Sequence, residues 1–190
     1  MTNQIIFFAG SARKDSFNKK LAKAAYDMAA AAGADARFID LADFQMPLYD
    51  GDLEAADGLP EKAKELKEIV AAATGLFIAC PEYNSGYPAL LKNTIDWISR
   101  PDPTVEGDFM LRAFAGKQAV VVSASPGGFG GMRALVPLRM LLGNIGVTVL
   151  PASISASAIH EKMDAEGNLT DDGTKGAISM AVQALIAACA

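Results

Sequence analysis

The sequence predicts an α/β fold in which a five-stranded parallel sheet is covered by helices on both faces. Five short apolar runs alternate with longer stretches whose apolar residues recur at helical spacing. The apolar runs are continuous, as expected of strands that are buried on both faces of a sheet. The chain has 190 residues, of which 51% are hydrophobic and 21% charged, so we expect residues 1–190 to form one domain.

The first strand is predicted at Ile5–Ala9, and Gly10 ends it. A helix is expected to begin near Phe17. Its apolar residues lie at helical spacing and are Leu21, Ala24, Ala25, Met28 and Ala32. The second strand is predicted at Ala34–Asp40. The segment from Phe44 to Gly58 is rich in acidic and turn-forming residues, which predicts a loop.

The middle of the chain continues this alternation. Pro60 occupies the first position of a predicted helix, where its missing N–H costs nothing, and Gly75 is expected to end that helix. The third strand is predicted at Leu76–Cys80. A turn at Pro81–Tyr87 follows it, and then a helix over Pro88–Arg100.

The last part of the chain contains two further predicted strands. The fourth is Gln118–Ser123, followed by a glycine loop at Pro126–Gly131 and a helix over Met132–Gly143. The fifth is short, Val147–Leu150, and a long loop leads from it to the last helix. The apolar face of that helix is formed by Ile178, Val182, Leu185, Ile186 and Cys189.

Five parallel strands joined by right-handed crossovers leave few topologies, of which the order 2-1-3-4-5 is the best fit. This is the doubly wound, flavodoxin-like arrangement, in which a ligand binds at the switch point between strands 1 and 3. The predicted site therefore consists of the loops that follow those strands, Gly10–Asn18 and Pro81–Tyr87.

The first of these loops has the composition of a phosphate-binding turn. Four of its side chains can donate hydrogen bonds, namely Ser11, Arg13, Ser16 and Asn18. The backbone N–H groups at the start of the following helix favour an anion. Lys19 and Lys20 extend the positive charge into the helix, which is unfavourable unless an external anion neutralises it. The alternative is an ordinary capped turn with solvated lysines.

The second loop carries polar side chains and two aromatic rings, Tyr83 and Tyr87, that can flank a planar ligand. The alternative is a turn in which both tyrosines pack locally. A third loop, Gly127–Gly131, does not have the spacing of a dinucleotide fingerprint, because the expected third glycine falls on Arg133. We interpret it as a close-approach loop beside the ligand, with a plain hinge or turn as the alternative.

The sequence of these loops resembles the NADPH-dependent FMN reductase family, including its quinone and chromate reductase branch. That family carries G-S-x-R-x-x-S-x-N after strand 1 and P-E-Y-N…P…L-K-N-x-I-D-W after strand 3. This chain has both motifs, at Gly10–Asn18 and Pro81–Trp97. Three shorter stretches extend the resemblance over most of the chain: Pro47–Asp50, Ser125–Gly128 and Gly167–Asp171.

The resemblance implies that FMN is bound without a covalent bond. The cofactor-binding residues that it implies are Ser11, Arg13, Ser16, Phe17, Asn18, Pro81, Glu82, Tyr83, Asn84, Ser125, Gly127 and Gly128. No catalytic side chain is expected, since the flavin itself carries the chemistry. Many family members have serine where this chain has Gly86, followed by an apolar residue where it has Tyr87, which leaves the shape of the substrate face open.

The function that we predict is that of an FMN-dependent NAD(P)H oxidoreductase. NADPH or NADH would pass a hydride to the flavin, and a quinone, azo, nitro or metal-oxyanion acceptor would then take the electrons. The alternative is a flavodoxin-type single-electron carrier without NAD(P)H turnover of its own. Such a carrier is expected to have a strongly acidic docking face, and the net charge of −5 is modest.

Composition also limits the partners and the location. No basic stripe with interleaved aromatic residues is present, so a nucleic acid is not expected, and no apolar stretch reaches the length of a membrane span. The two cysteines, Cys80 and Cys189, form neither a disulfide framework nor a metal pair, and Asp164–Lys175 lacks the glycine and final glutamate of a calcium loop. Without a leader-like start, we expect a cytoplasmic protein.

The helix predicted at Met132–Gly143 is apolar on nearly all sides. A helix of this kind is buried on more than one side. We therefore expect a homodimer or homotetramer in which this helix and the helix at Pro88–Arg100 contact another subunit, with a deeper monomer core as the alternative.

Overall fold

The computed structural model describes residues 3–190, which form a five-stranded sheet, all parallel, in the order β2-β1-β3-β4-β5. The strands are β1 (Ile5–Ala9), β2 (Ala36–Phe38), β3 (Gly75–Ala79), β4 (Gln118–Ala124) and β5 (Thr148–Ala156). The helices are α1 (Phe17–Ala31), α2 (Gly51–Asp57), α3 (Glu61–Ala72), α4 (Ala89–Ile98), α5 (Met132–Asn144) and α6 (Asp172–Cys189). The predicted fold class and strand order are confirmed.

Two apolar cores lie on the two faces of the sheet. Successive residues of a strand point to opposite faces, so Ile6 and Phe8 of β1 pack with α3, α4 and α5, whereas Ile5 and Phe7 pack with α1 and α6. Burial on both faces explains why the three central strands, β1, β3 and β4, appear in the sequence as continuous apolar runs. None of the helices within residues 3–190 has the length and apolar composition needed to cross a membrane.

The segment predicted as one loop, Phe44–Gly58, contains the short helix α2. Its N-cap is Asp50, whose carboxylate accepts hydrogen bonds from the backbone N–H of Asp52 at 2.8 Å and of Leu53 at 3.3 Å. None of the residues of α2 is fully buried. Leu53 is the one large apolar residue of α2 and packs partly buried against the core. A single apolar residue makes no hydrophobic period, so the sequence pattern missed this capped helix.

Strand β5 extends well beyond its predicted end at Leu150. It runs to Ala156 through Pro151, and its pairing with β4 shifts register between Ala119 and Val121. Because β5 is an edge strand, a proline that donates no hydrogen bond is tolerated within it. The other edge strand, β2, is shorter than predicted, covering three residues.

The boundary between α3 and β3 also differs from the prediction. Gly75 is the first residue of β3 and does not end the helix, which stops at Ala72. A Cβ atom at Gly75 would lie 2.5 Å from Sγ of Cys189 and 3.1 Å from Ile5. Glycine at this position therefore allows α6 to approach the sheet closely.

A buried cluster of charges holds the segment between α4 and β4 against α3. The carboxylate of Asp108 accepts hydrogen bonds from Lys67 Nζ, from the backbone N–H of Asp102 at 2.6 Å and from Arg112 Nε at 2.5 Å. The side chains of Lys67 and Asp108 are 1% and 0% exposed. Burial opposes ionisation of Asp108, but these donors outweigh it and lower its pKa to about 2.

We expect Asp108→Asn to lower the free energy of unfolding by about 3 kcal/mol at pH 7, because it leaves the buried Lys67 ammonium without its counter-charge. The matched control is Asp27→Asn in the exposed Lys23–Asp27 pair, which should cost about 0.5 kcal/mol or less. Urea denaturation of both variants gives the two values.

The contribution of Asp108 should also depend on pH. Its pKa is lowered from 3.8 on folding, so the stabilisation is present above that value and is lost as the pH falls towards about 2. Equal losses for both variants at neutral pH would contradict a stabilising role for the buried pair.

Candidate functional site

Loops from three neighbouring strands meet at the carboxyl edge of the sheet and form two adjoining cavities. The first cavity lies at the β1–β3 switch point and is lined by Ser11, Arg13, Ser16, Phe17, Asn18, Pro81, Glu82, Tyr83, Ala124, Ser125 and Pro126. The second shares Glu82 and Ser125 with it and extends to Asn84, Gly127, Gly128 and Arg133. All twelve predicted cofactor-binding residues line one or both of these cavities.

The hydroxyl groups of the first loop are buried at the start of α1. Ser16 is the N-cap, and its oxygen accepts a hydrogen bond from the backbone N–H of Lys19 at 3.4 Å. Ser11 accepts one from the N–H of Arg13 at 3.3 Å. Both oxygens act as acceptors here, and neither hydroxyl donates to another of residues 3–190, so both O–H groups can donate to a ligand.

The positive charge near this loop is divided between paired and unpaired groups. Lys19 forms an ion pair with Asp40 at 2.6 Å, so its charge is neutralised inside the protein. The argument that all the basic residues at this helix start need an external anion is therefore wrong for Lys19. The exposed Arg13 forms no ion pair with any of the described residues 3–190, and the first turn of α1 has no acidic residue. Arg13 thus carries free charge at the cavity wall.

Asn18 joins the first loop to the end of β4. Its Nδ2 donates to the carbonyl of Ala124 at 2.9 Å, and its Oδ1 accepts from the N–H of the same residue at 3.0 Å. The residue is 4% exposed. The amide of Asn18 therefore has its principal partners within the protein and holds two walls of the first cavity together.

The second loop contains a tight turn at its tip. Tyr83 and Gly86 exchange backbone hydrogen bonds of 3.0 and 3.1 Å, and the two residues between them, Asn84 and Ser85, have φ angles of 50° and 65°. Positive φ at two adjacent non-glycine residues is uncommon and often accompanies functional sites. The ring of Tyr83 is half exposed beside the cavity.

Glu82 connects this second loop to helix α5. Its carboxylate accepts hydrogen bonds from the backbone N–H of Arg133 at 3.0 Å and from Arg133 Nε at 2.7 Å. The N-cap of α5, Gly131, has no side chain to cap the helix, so Glu82 supplies the cap from a distant part of the chain. Sequence patterns did not identify Arg133, because its partner lies 51 positions earlier.

The glycine loop approaches the sheet closely. Gly130 and Gly131 have φ angles of 58° and 86°. A Cβ at Gly131 would lie 1.9 Å from Oγ of Ser123, and one at Gly130 would lie 2.7 Å from the backbone of Ser155. The close approach at these two glycines is therefore to β4 and β5.

The L-K-N-x-I-D-W part of the second motif holds the loop after β2. The Oδ1 of Asn93 accepts from the N–H of Tyr49 at 2.7 Å, and its Nδ2 donates to the carbonyl of Pro47 at 2.9 Å. Trp97 Nε1 donates to the same carbonyl at 2.8 Å, and its ring contacts that of Tyr49 edge to face. Asn93 and Trp97 thus fix a neighbouring loop.

The fold and the site together define a flavodoxin-like protein with a cation-lined cavity at the topological switch point. The sequence model of the NADPH-dependent FMN reductase family matches residues 3–161. The chain belongs to this family, and it is an oxidoreductase.

Known proteins of similar sequence and structure agree with this assignment. An NAD(P)H-dependent FMN reductase of Pseudomonas aeruginosa is 35% identical over 184 residues, covering 96% of this chain and 92% of its own. A quinone reductase of Escherichia coli is 34% identical and covers 90% and 87%. The solved structure of a flavoenzyme NAD(P)H:(acceptor) oxidoreductase from Paracoccus denitrificans superposes with a TM-score of 0.78 at 29% identity, covering 99% and 97%.

We expect Arg13→Ala and Asn18→Ala to differ in their effect on FMN affinity and on the melting temperature of the FMN-free protein. Loss of a charge-assisted contact from Arg13 should raise the FMN dissociation constant roughly tenfold to a hundredfold, without lowering the melting temperature of the FMN-free protein. Asn18→Ala should lower that melting temperature, because the backbone N–H and carbonyl of Ala124 lose their partner at a cost of about 2 kcal/mol.

Fluorescence-quenching titrations with FMN and thermal melts without FMN measure both quantities. Unchanged FMN affinity together with a less stable FMN-free protein for Arg13→Ala would assign Arg13 a structural role instead.

Proposed function

We propose that this oxidoreductase binds FMN with its phosphate in the first cavity and its ring towards the second, and uses NADPH or NADH to reduce quinones, and in addition azo, nitro or metal-oxyanion compounds. The observation that carries the proposal is the cavity itself, in which unpaired Arg13 and two buried hydroxyls surround a helix N-terminus at the switch point. Membership of the NADPH-dependent FMN reductase family supports the same conclusion.

The residues of the first cavity fit a flavin mononucleotide. Arg13, Ser11, Ser16 and the N-terminus of α1 offer charge and hydrogen-bond donors to a phosphate monoester. Asn18 is proposed to act by holding the walls in place. The ring would lie between the second and third loops, against Pro81, Tyr83 and Asn84 on one side and Ser125, Gly127 and Gly128 on the other.

The bound flavin supplies hydride and electron transfer, and the chain supplies position and electrostatics. No side-chain nucleophile is assigned. The thiol nearest in sequence to the second loop, Cys80, is buried, and burial together with the charge of Glu82 raises its pKa to about 12. A thiol with this pKa is protonated at neutral pH and is not a nucleophile.

Gly86 shapes the face that we assign to the acceptor. A Cβ atom at this position would meet only the carbonyl oxygen of Tyr83, at 3.7 Å, which is ordinary contact distance. Glycine is therefore not required there by crowding, and the missing side chain leaves surface open beside Tyr83. The open surface supports an acceptor that is a planar small molecule. The curated relatives are named as reductases, so the single-electron carrier is not favoured.

Steady-state oxidation of NADPH and NADH by the FMN-loaded protein tests the function. We expect turnover with benzoquinone as acceptor, and loss of that turnover when FMN is removed. Bound FMN without NAD(P)H oxidation in the presence of quinone, azo or nitro acceptors would favour the carrier.

We also propose that the protein is a homodimer or homotetramer. The support is an apolar face of α5 on which Met132, Val136 and Met140 are 50%, 71% and 67% exposed. The large apolar residues of α4 pack mostly into its own core, so α5 carries this proposal. The two free, buried cysteines, Cys80 and Cys189, support a reducing compartment such as the cytoplasm.

Val136→Asp should reduce the molar mass of the particle measured by light scattering at micromolar concentration, since a buried unpaired charge disfavours an interface. Val105→Asp, at an exposed apolar residue outside α5, is the control and should leave the mass unchanged. A wild-type protein that is monomeric under these conditions would disprove the oligomer.

A further inference from the structure

Arg133 is the one cation among the described residues that line the second cavity. It lies at the start of α5 and lines the second cavity, whereas Arg13 lines the first, and the two cavities share Glu82 and Ser125. The site thus has one guanidinium in each cavity. We assign Arg13 to the flavin phosphate, which leaves the role of Arg133 unexplained.

The guanidinium of Arg133 is held in place but is not fully used. It has five N–H donors. Glu82 accepts from Nε at 2.7 Å and lies 2.6 Å from Nη2, while the rest of the guanidinium donates to no other of residues 3–190. The side chain of Glu82 is 8% exposed and that of Arg133 55%. One edge of the fork is therefore anchored and the other edge is open to a ligand, as bidentate phosphate binding requires.

Phe129 fixes the guanidinium from a second direction. The centroid of its ring lies 5.2 Å from Cζ of Arg133, within the range of a cation–π contact. The ring of Phe129 is itself exposed and lines the same cavity. Arg133 and Phe129 together form one wall of the cavity. The guanidinium of Arg133 suits an anion, and the ring of Phe129 suits a flat base.

Two glycines that line the same cavity, Gly127 and Gly128, are not required by the packing of the fold. A Cβ at Gly127 would meet Ser125 Oγ at 3.5 Å, and one at Gly128 would meet nothing within 4 Å. Neither residue has positive φ. Gly130 and Gly131 are needed for close approach to the sheet, but Gly127 and Gly128 are not. Bare backbone at these two positions suits the flavin ring that we place against this loop, and it leaves the cavity beside Phe129 and Arg133 open.

We propose that Arg133 binds a phosphate group of the dinucleotide electron donor in this second cavity, beside Phe129. NADPH and NADH combine what this wall recognises, which is anionic phosphate joined to flat aromatic bases. The assignment rests on the proposed function. It differs from a purely structural role, in which Arg133 serves only to neutralise Glu82 while the Glu82 carboxylate caps α5.

The two roles predict different effects for the two halves of the ion pair. If Arg133 is merely a partner of Glu82, then Arg133→Gln and Glu82→Gln should change donor binding alike. If Arg133 binds the donor, Arg133→Gln weakens binding. Glu82→Gln then weakens it much less than Arg133→Gln does, because the guanidinium keeps its charge and the amide oxygen can still accept from the N–H of Arg133.

The experiment measures the dissociation constant of NADP⁺ and of NAD⁺ by isothermal titration calorimetry, with every variant saturated with FMN. We expect Arg133→Gln to raise both constants roughly tenfold, and Arg133→Lys to raise them less. Arg37→Gln removes an exposed arginine from β2 and is the matched control for net charge, with no change expected.

A second measurement uses 1-benzyl-1,4-dihydronicotinamide, a hydride donor that has no phosphate. Its rate of oxidation with benzoquinone should be the same for wild type and Arg133→Gln, while the KM for NADPH rises. A loss with both donors alike, or equal weakening of NADP⁺ binding by Arg133→Gln and Glu82→Gln, would overturn the assignment in favour of the structural role.

If Arg133→Gln raised the KM for anionic acceptors and left the KM for NADPH unchanged, the assignment of Arg133 to the donor would also be overturned. A wild-type protein that oxidises none of these donors would refute the proposed function, whereas the calorimetric result on Arg133 would still decide the binding assignment separately.

Discussion

The hydrogen-bonded pair between the amide of Asn18 and the backbone of Ala124 fixes the geometry of the whole site. It joins the first turn of α1 to the last residue of β4, across the carboxyl edge of the sheet. Because both backbone groups of Ala124 are satisfied by one side chain, the first and third loops keep a set separation. Ser11, Ser16 and Arg13 donate no side-chain hydrogen bond to another of residues 3–190, so their donors stay available to a ligand.

The second loop is held in a similar way by Glu82, which caps α5 from outside that helix. Two side chains therefore tie three loops into one unit, and each of them also lines a cavity. Fixed donors that need no rearrangement on binding are the usual basis of electrostatic recognition. The proposed roles of Arg13 and Arg133 both depend on this rigidity, one towards the flavin phosphate and the other towards the donor.

Basic side chains are paired with carboxylates in the body of the protein but are unpaired or half paired at the site. Lys67 and Asp108 are paired and buried, and Lys19 is paired with Asp40. Such pairs lock a segment in place and have little charge left for a ligand. Arg13 has no ion pair among residues 3–190, and Arg133 keeps one edge of its fork free. This contrast singles out the two arginines, because an unpaired or half-paired cation beside a cavity can still neutralise an anion.

The sequence by itself predicted the sheet, its order and the loops that line the cavities, because apolar central strands and right-handed crossovers leave few topologies. It also determined the family, through motifs that are local in the chain. Only the tertiary structure decided which of those residues have free donors. Asn18 meets Ala124, Lys19 meets Asp40 and Glu82 meets Arg133. These partners lie far apart in sequence, and a local pattern does not show which side chain pairs with which distant residue.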